Sequence, residues 1–278
     1  MDYGHPVQFG VFITPAAQPE RPLAVAALAD ELGFDLIGVQ DHPYQSRFVD
    51  TWTLLTAIAM RTKRIHVFPD VANLPLRPPA ILAKAAATLD LLTGGRVELG
   101  LGAGGSFEAI KAIGGPMRTR GESVDALEEA IHLIRLMWSG DRGVRFEGKH
   151  YQLAGVHTGP PPAHPVGIWL GAYKPRMLSL VGRAADGWVP SLGYMQPAGL
   201  LDGNRRIDEA AAAAGRDPRA IRRVLNAGAD VPVELFTSLT VEQGMDTYVI
   251  GGLEDPDALR WFASDVIPAV RDAVARAR

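Results

Sequence analysis

Residues Gly94 to Glu108 read Gly-Gly-Arg-Val-Glu-Leu-Gly-Leu-Gly-Ala-Gly-Gly-Ser-Phe-Glu, and no other stretch narrows the fold as much. The glycine pair Gly94-Gly95 stops a preceding helix, and Arg96 to Leu101 forms a short strand. The strand runs into a loop with glycine at Gly100, Gly102 and Gly104, followed by a helical segment. Glycine permits positive φ and lets a ligand approach the main chain with no Cβ in the way. Free N–H groups at such a strand-to-helix turn form a concavity that suits an anion. The stretch reads as the floor of a cofactor site.

Gly100, Gly102 and Gly105 also satisfy the spacing G-x-G-x-x-G, but the dinucleotide-binding reading fails. That fingerprint needs a following strand with an acid about 20 residues on. Here Val124, Leu127, Ile131, Ile134 and Trp138 recur at helical spacing, with Asp125, Glu128, Glu129, His132 and Arg135 on the opposite face. The glycine loop also comes after several earlier strand–helix units.

Those units repeat along the whole chain. Val7 to Ile13, Phe34 to Val39, Ile65 to Phe68 and Arg96 to Leu101 read as the first four strands. Val166 to Leu170, Gly187 to Pro190, Val224 to Asn226 and Thr247 to Ile250 follow. The intervening segments are helical. Pro22 opens the first helix and Gly33 closes it, Thr51 to Met60 is the second, and Pro79 starts a third over Ala80 to Leu92. Leu259 to Ala275 is the last. Short, apolar, non-alternating strands between helices specify a parallel sheet covered on its faces. Val144 to Leu153 reads as a small hairpin inserted between units, and the unit at 222–246 is compressed. The fold class is therefore α/β, a single (β/α)8 TIM-type barrel spanning residues 1–278 with a small hairpin insertion.

Composition narrows the function. The net charge of -3 carries no basic footprint, so a nucleic-acid partner is not expected. There is no cysteine, which removes disulfides, thiolate nucleophiles and thiolate metal sites, and fits a reducing cytoplasmic location. No apolar run reaches membrane-spanning length, and no leader peptide is expected. No His-x-His or His-Glu-x-x-His spacing offers a metal site.

In a barrel of this type the active site lies at the C-terminal ends of the strands. That rule selects Asp41-His42 after strand two, Ala72-Asn73 after strand three, Gly102 to Glu108 after strand four, and Gly171-Ala172-Tyr173-Lys174 after strand five. His42 is the candidate proton-transfer group, set against a histidine that merely caps the barrel rim. Glu108 is either a proton donor or an acid in a helix's first turn. Gly171-Ala172 followed by Lys174-Pro175-Arg176 reads as a second anion-binding turn beside the first. Two convergent anion turns suggest one phosphate-bearing cofactor spanning them. Phe12, Trp52, Phe107 and Tyr194 are candidates for an apolar substrate pocket or for the core.

Taken together these stretches resemble the luciferase-like monooxygenase superfamily, and within it the F420-dependent oxidoreductases. The resemblance rests on Phe9-Gly-Val-Phe, on Leu32-Gly-Phe-Asp-Leu-Ile-Gly-Val-Gln-Asp-His42, and on the long run from Arg77 to Gly104. Ala185-Asp-Gly-Trp188 and Asp265 to Arg271 complete it, in the family's order. The resemblance implies a barrel whose mouth holds a flavin-type ring. Asp-His after strand two is typical of the deazaflavin F420 branch, with the histidine transferring a proton and Asp41 contacting the cofactor; FMN-using relatives more often carry Glu-His-His. It further implies a bulge after strand three, matched by Ala72-Asn73, often with a cis non-proline peptide. The loop Gly102, Ala103, Gly104, Glu108 and the turn Gly171, Ala172, Lys174, Pro175 match segments that hold the ribityl and phosphate parts. A homodimer is implied as well.

The sequence departs from the sugar-phosphate dehydrogenases of that branch, which carry glutamate where this chain has Gly105, and it is shorter around 226–236. The expected function is hydride exchange between F420 and a small organic substrate, with His42 handling the proton. The alternatives are an FMN-dependent monooxygenase fed reduced flavin by a separate reductase, and a flavin- or deazaflavin-binding barrel without catalysis.

Overall fold

The computed structural model describes every residue from Met1 to Arg278. In chain order, β1 (Gln8–Ile13), α1 (Glu20–Leu32), β2 (Leu36–Val39), α2 (Thr51–Arg61) and β3 (His66–Pro69) open the fold. β4 (Ala72–Asn73), α3 (Pro79–Thr93), β5 (Leu99–Gly102), α4 (Phe107–Ala112) and α5 (Arg120–Trp138) follow. Then come β6 (Val144–Glu147), β7 (Gln152–Val156), β8 (Ile168–Leu170), α6 (Pro175–Ala184), β9 (Gly187–Trp188) and α7 (Pro197–Ala213). β10 (Arg222–Gly228), α8 (Val233–Val241), β11 (Thr247–Gly251), α9 (Pro256–Trp261) and α10 (Ile267–Ala277) close the chain.

Nine strands form one parallel sheet in the order β3-β2-β1-β11-β10-β9-β8-β5-β4. β4 resumes β3 after a break at Asp70-Val71, and a parallel bridge between Val67 and Val97 joins β3 to the segment that leads into β5. Counted this way the sheet closes on itself with eight strand positions, the (β/α)8 barrel the alternation specifies. β6 and β7 pair antiparallel as the inserted hairpin. Glu129 of α5 pins its turn, accepting from the backbone N–H groups of Lys149, His150 and Tyr151 at 2.8 to 3.1 Å.

The strands read as continuous apolar runs because both of their faces are covered. A cluster of 56 buried residues fills the layer between sheet and helices, and a separate cluster of six fills the barrel itself. Inside the barrel, Phe68 and Trp169 meet edge to face at 5.1 Å. Glycine on neighbouring strands makes room for them: a Cβ on Gly38 would lie 2.9 Å from Phe68, and one on Gly187 2.4 Å from Trp169. This plug fills the barrel below its C-terminal mouth.

Most strand boundaries differ from the sequence expectation by one to three residues, and two departures in the helices have a physical reason. α1 begins at Glu20, so Pro22 sits inside its first turn rather than opening it; proline is tolerated there because N–H groups of the first turn have no intrahelical partner. Gly33 does end it, at φ 85°. The last helix is not continuous: a π-helical turn over Phe262–Val266 separates α9 from α10. Pro268 follows it, and a proline in an unbroken α-helix would press its ring against the carbonyl four residues earlier. No helix is long and apolar enough to cross a membrane.

Candidate active site

The mouth of the barrel holds a cavity of about 600 Å³, within the range of roughly 300–1,000 Å³ usual for small-molecule sites. A larger cavity of about 940 Å³ lies between α1 and α9, where the loops after β1 and β11 (Thr14, Ala16 and Leu253 to Asp255) form part of its wall, and it shares Phe12 with the mouth cavity. The mouth cavity is distinguished by its lining, which draws on the ends of most of the strands and brings together most of the residues selected from the sequence. His42, Asp41, Ala72, Asn73, Gly102, Ala103, Gly104, Gly171 and Lys174 all line it.

The glycine loop behaves as an anion cradle should. The backbone N–H groups of Ala103, Gly104, Gly105 and Ser106 donate to no acceptor in the protein. Those of Tyr173 and Lys174 across the cavity are likewise unpaired. Close approach explains the glycines: a Cβ on Gly102 would lie 2.8 Å from Val71, and Gly104, at φ 82°, would meet Pro75 at 2.6 Å. The helix after the loop, α4, is short, so the loop amides make the cradle and the helix adds little.

Three residues of the expected site fall elsewhere. Glu108 is exposed in the first turn of α4 and does not line the cavity, because the loop turns outward before it. Ala172 is buried, with its carbonyl accepting from Trp188 Nε1 at 2.8 Å. Pro175 is exposed at the start of α6. Arg176 does not serve an anion either, since its guanidinium is paired with Asp125 and Gly121 O. The second anion turn therefore reduces to its backbone amides and Lys174, the sole basic side chain on the cavity wall. Of the apolar candidates, Phe12 and Tyr194 line the cavity, whereas Trp52 and Phe107 do not. The cis peptide lies between Asp70 and Val71, two residues before the expected Ala72-Asn73.

Asp41 lines the cavity, and its carboxylate is also held from within the protein. It is 2% exposed, and both of its oxygens are engaged within the protein. Arg77 grips it in a fork, Nε to Oδ2 and Nη2 to Oδ1, each 2.7 Å, while Asn73 N–H donates to Oδ2 at 2.9 Å. The same Nη2 donates to Asp50, which caps α2. Burial alone would lower the pKa of Arg77, but its bonds to Asp41 and Asp50 override burial and hold it higher. Asp41 thus locks the β2 and β4 loops together and sets the position of its neighbour His42.

His42 is half-buried, and its Nδ1 is 2.7 Å from the hydroxyl of Tyr44, leaving Nε2 without a protein partner. Burial pushes its pKa below the ordinary 6.5, against the opposing pull of the Asp41 carboxylate. The imidazole is therefore neutral at pH 7, the form that can accept a proton.

Reasoning from sequence missed Arg77, Tyr44, Asp70 and Asn226. Asp70 lies on the cavity floor with Oδ2 buried and unpaired; the side-chain oxygens of Asn73 and Asn226 are in the same condition. Burial pushes the Asp70 carboxyl up to about 7, opposed only by a hydrogen bond from Asn226. Buried orphan acceptors gathered in one cavity mark a place where a ligand supplies the missing partners. With a glycine-rich cradle beside them, the residues present fit a planar ring with a polar edge and a phosphate-bearing tail.

Comparison with known proteins supplies the family. The luciferase-like monooxygenase family matches residues 1–230. The chain belongs to that family. It is 34% identical over 181 residues to the F420-dependent glucose-6-phosphate dehydrogenase of Amycolatopsis mediterranei, covering 63% of this chain and 54% of that enzyme. It is 28% identical over 272 residues to the 5,10-methylenetetrahydromethanopterin reductase of Archaeoglobus fulgidus, covering 96% of this chain and 78% of that enzyme. Among solved structures, an F420-dependent secondary alcohol dehydrogenase in complex with an F420-acetone adduct superposes with a TM-score of 0.83. That likeness, at 22% identity over 96% of this chain and 100% of the other, concerns the barrel fold. The chain spans about half the length of the first of these relatives, and the luciferase-like family to which all of this points is a family of enzymes.

Proposed function

We propose that this luciferase-like enzyme is an F420-dependent oxidoreductase. The observation that carries the reading is the mouth cavity itself: a neutral, oriented His42 beside buried unpaired acceptors and two runs of free backbone amides. The relatives named F420-dependent support the deazaflavin over FMN. The bound deazaflavin would supply the hydride chemistry. This chain's residues would do the rest: Asn73 and the loop Gly102–Ser106 hold the ligand, Lys174 meets its anionic tail, and Val71 backs the ring. His42 Nε2 would take or return the proton that accompanies hydride exchange.

The cavity also bears on substrate. Lys174 is its one cation and would be engaged by the cofactor's tail, while a Cβ on Gly105 would meet nothing within 4 Å. The wall around Phe12, Val189 and Tyr194 is apolar or aromatic. These features support a small, uncharged alcohol or carbonyl substrate rather than a sugar phosphate. The test is turnover of F420 absorbance over a panel of small alcohols and carbonyl compounds, beside oxygen uptake with reduced FMN. F420 turnover is expected; oxygen uptake with FMN alone would replace this reading with a monooxygenase.

We also propose a homodimer. Met60 on α2 and Ile81, Leu91 and Leu92 on α3 are large apolar side chains exposed on neighbouring helices, and Trp52 Nε1 beneath them has no partner. Sedimentation equilibrium should give twice the chain mass, and Ile81→Asp with Leu92→Asp should yield monomers. A monomeric wild type would overturn this.

A further inference from the structure

Asp70 and Asn226 come from opposite sides of the barrel, at the ends of β3 and β10, and meet on the cavity floor. Asn226 Nδ2 donates to Asp70 Oδ1 at 3.2 Å and to Ser191 Oγ at 3.4 Å. That leaves Asp70 Oδ2 and Asn226 Oδ1, both buried and both unpaired. Asp70 is 7% exposed, and Gly38 leaves room for its free oxygen, since a Cβ there would lie 3.0 Å from Oδ2. The protein offers Asp70 no cation: Arg77 is held by Asp41 and Asp50, and no salt bridge reaches Asp70.

Resting on the deazaflavin reading above, we propose that Asp70 and Asn226 form a two-point clamp for a ring edge in which a carbonyl oxygen adjoins an N–H, the lactam or imide edge of a pyrimidinedione. A carboxylic acid linked to an amide through one of its oxygens has one O–H donor and one amide oxygen acceptor left over. These complement a C(=O)–NH edge in register. An ionised Asp70 could not do this: it would present a bare anion in a closed site and repel the ligand carbonyl. Its upward-shifted pKa agrees, since the proton is then retained to about neutrality. The clamp would give Asp70 a positioning role, fixing the ring edge in the cavity that His42 also lines.

The clamp makes binding depend on pH. Below about pH 7 Asp70 keeps its proton; above it the donor is lost, and affinity falls by up to about tenfold per pH unit. The other groups facing the site do not mimic this. His42 is shifted down and is already neutral there, and burial raises Tyr173 above its ordinary 10. Asp41 is ion-paired with Arg77. Tyr44, Lys174 and Tyr194, which also line the cavity, and the ligand's own ionisations are common to wild type and an Asp70 variant, so they cancel in the comparison.

The experiment is fluorescence titration of the wild type, Asp70→Asn, Asp70→Leu and Asn226→Leu with F420 and FMN, and with riboflavin against 3-methylriboflavin, from pH 6 to 9. Asp70→Asn keeps a neutral donor and should remove the extra loss of affinity above pH 7. Asp70→Leu and Asn226→Leu should each weaken binding on the order of tenfold. Blocking the ring N–H with a methyl group should weaken wild type by a similar factor and leave Asn226→Leu unaffected. Equal binding of the methylated and unmethylated rings, or an unchanged pH slope in Asp70→Asn, would overturn the clamp while leaving the cofactor reading intact. No binding of any of these ligands to wild type would remove both.

Discussion

Replacing Arg77 with alanine is expected to destabilise the protein by about 3–5 kcal/mol, the cost of removing one partner of a buried ion pair. The expectation follows from what the change leaves behind. The Asp41 side chain is 1% exposed, and without Arg77 it retains only the Asn73 N–H. Asp50 at the start of α2 loses its cation too, but it is half-exposed, so that part contributes little. In a chain of 278 residues the fall in melting temperature should be on the order of 10 °C. Arg77→Lys should fall between, because an ammonium cannot reproduce the fork. Asp41→Asn in the Arg77→Ala background should recover part of the loss, since the buried charge is then gone. Thermal melts of the four proteins check this. An Arg77→Ala protein within 1 kcal/mol of wild type would show that the pair does not hold the two loops.

The second large effect concerns chemistry. His42→Ala should lower turnover with F420 by roughly 10²–10⁴-fold, the contribution of a positioned general acid or base. Ligand affinity should change only a few-fold, because the cavity's binding groups lie on other segments: Asn73 at the end of β4, the Gly102–Ser106 backbone from the end of β5 and Lys174 before α6. Tyr44→Phe should give a smaller loss, since it removes the partner of Nδ1 and leaves the ring in place. The pH profile carries a sign. His42 acts while neutral, so activity should fall on the acid side as pH drops through its pKa, which lies below 6.5. Steady-state kinetics with a parallel binding titration separate the effects. A large change in affinity with unaltered turnover would assign His42 to binding alone.

Much of the fold is legible in the sequence because a barrel strand, buried on both faces, leaves an apolar run that a helix pattern does not imitate. The hairpin is legible for a similar reason, since Gly148 divides two extended runs too short for a barrel unit. The π-helical turn is not, because Leu259, Phe262, Val266 and Val270 keep a helical apolar spacing across it and only Pro268 hints at a break. The site is legible where a loop announces itself through glycine. It is hidden where the partner comes from far along the chain. Asp70 after Pro69 reads as a turn acid, and Asn226 as a polar residue ending a strand. Their 156-residue separation closes only when the barrel does. Arg77 precedes two prolines and reads as a loop cation; nothing in the sequence pairs it with Asp41. Glu108 errs in the opposite direction, since an acid close behind a glycine loop looks available until the loop's exit turns it to solvent.

The central claim is that the mouth cavity holds a deazaflavin, and a paired titration tests it most directly. Purified protein is titrated with F420 and, separately, with FMN, following quenching of each ligand's fluorescence. The account predicts micromolar binding of F420 with FMN much weaker. Tight binding of FMN with F420 ignored would contradict it and direct the search to a reductase partner.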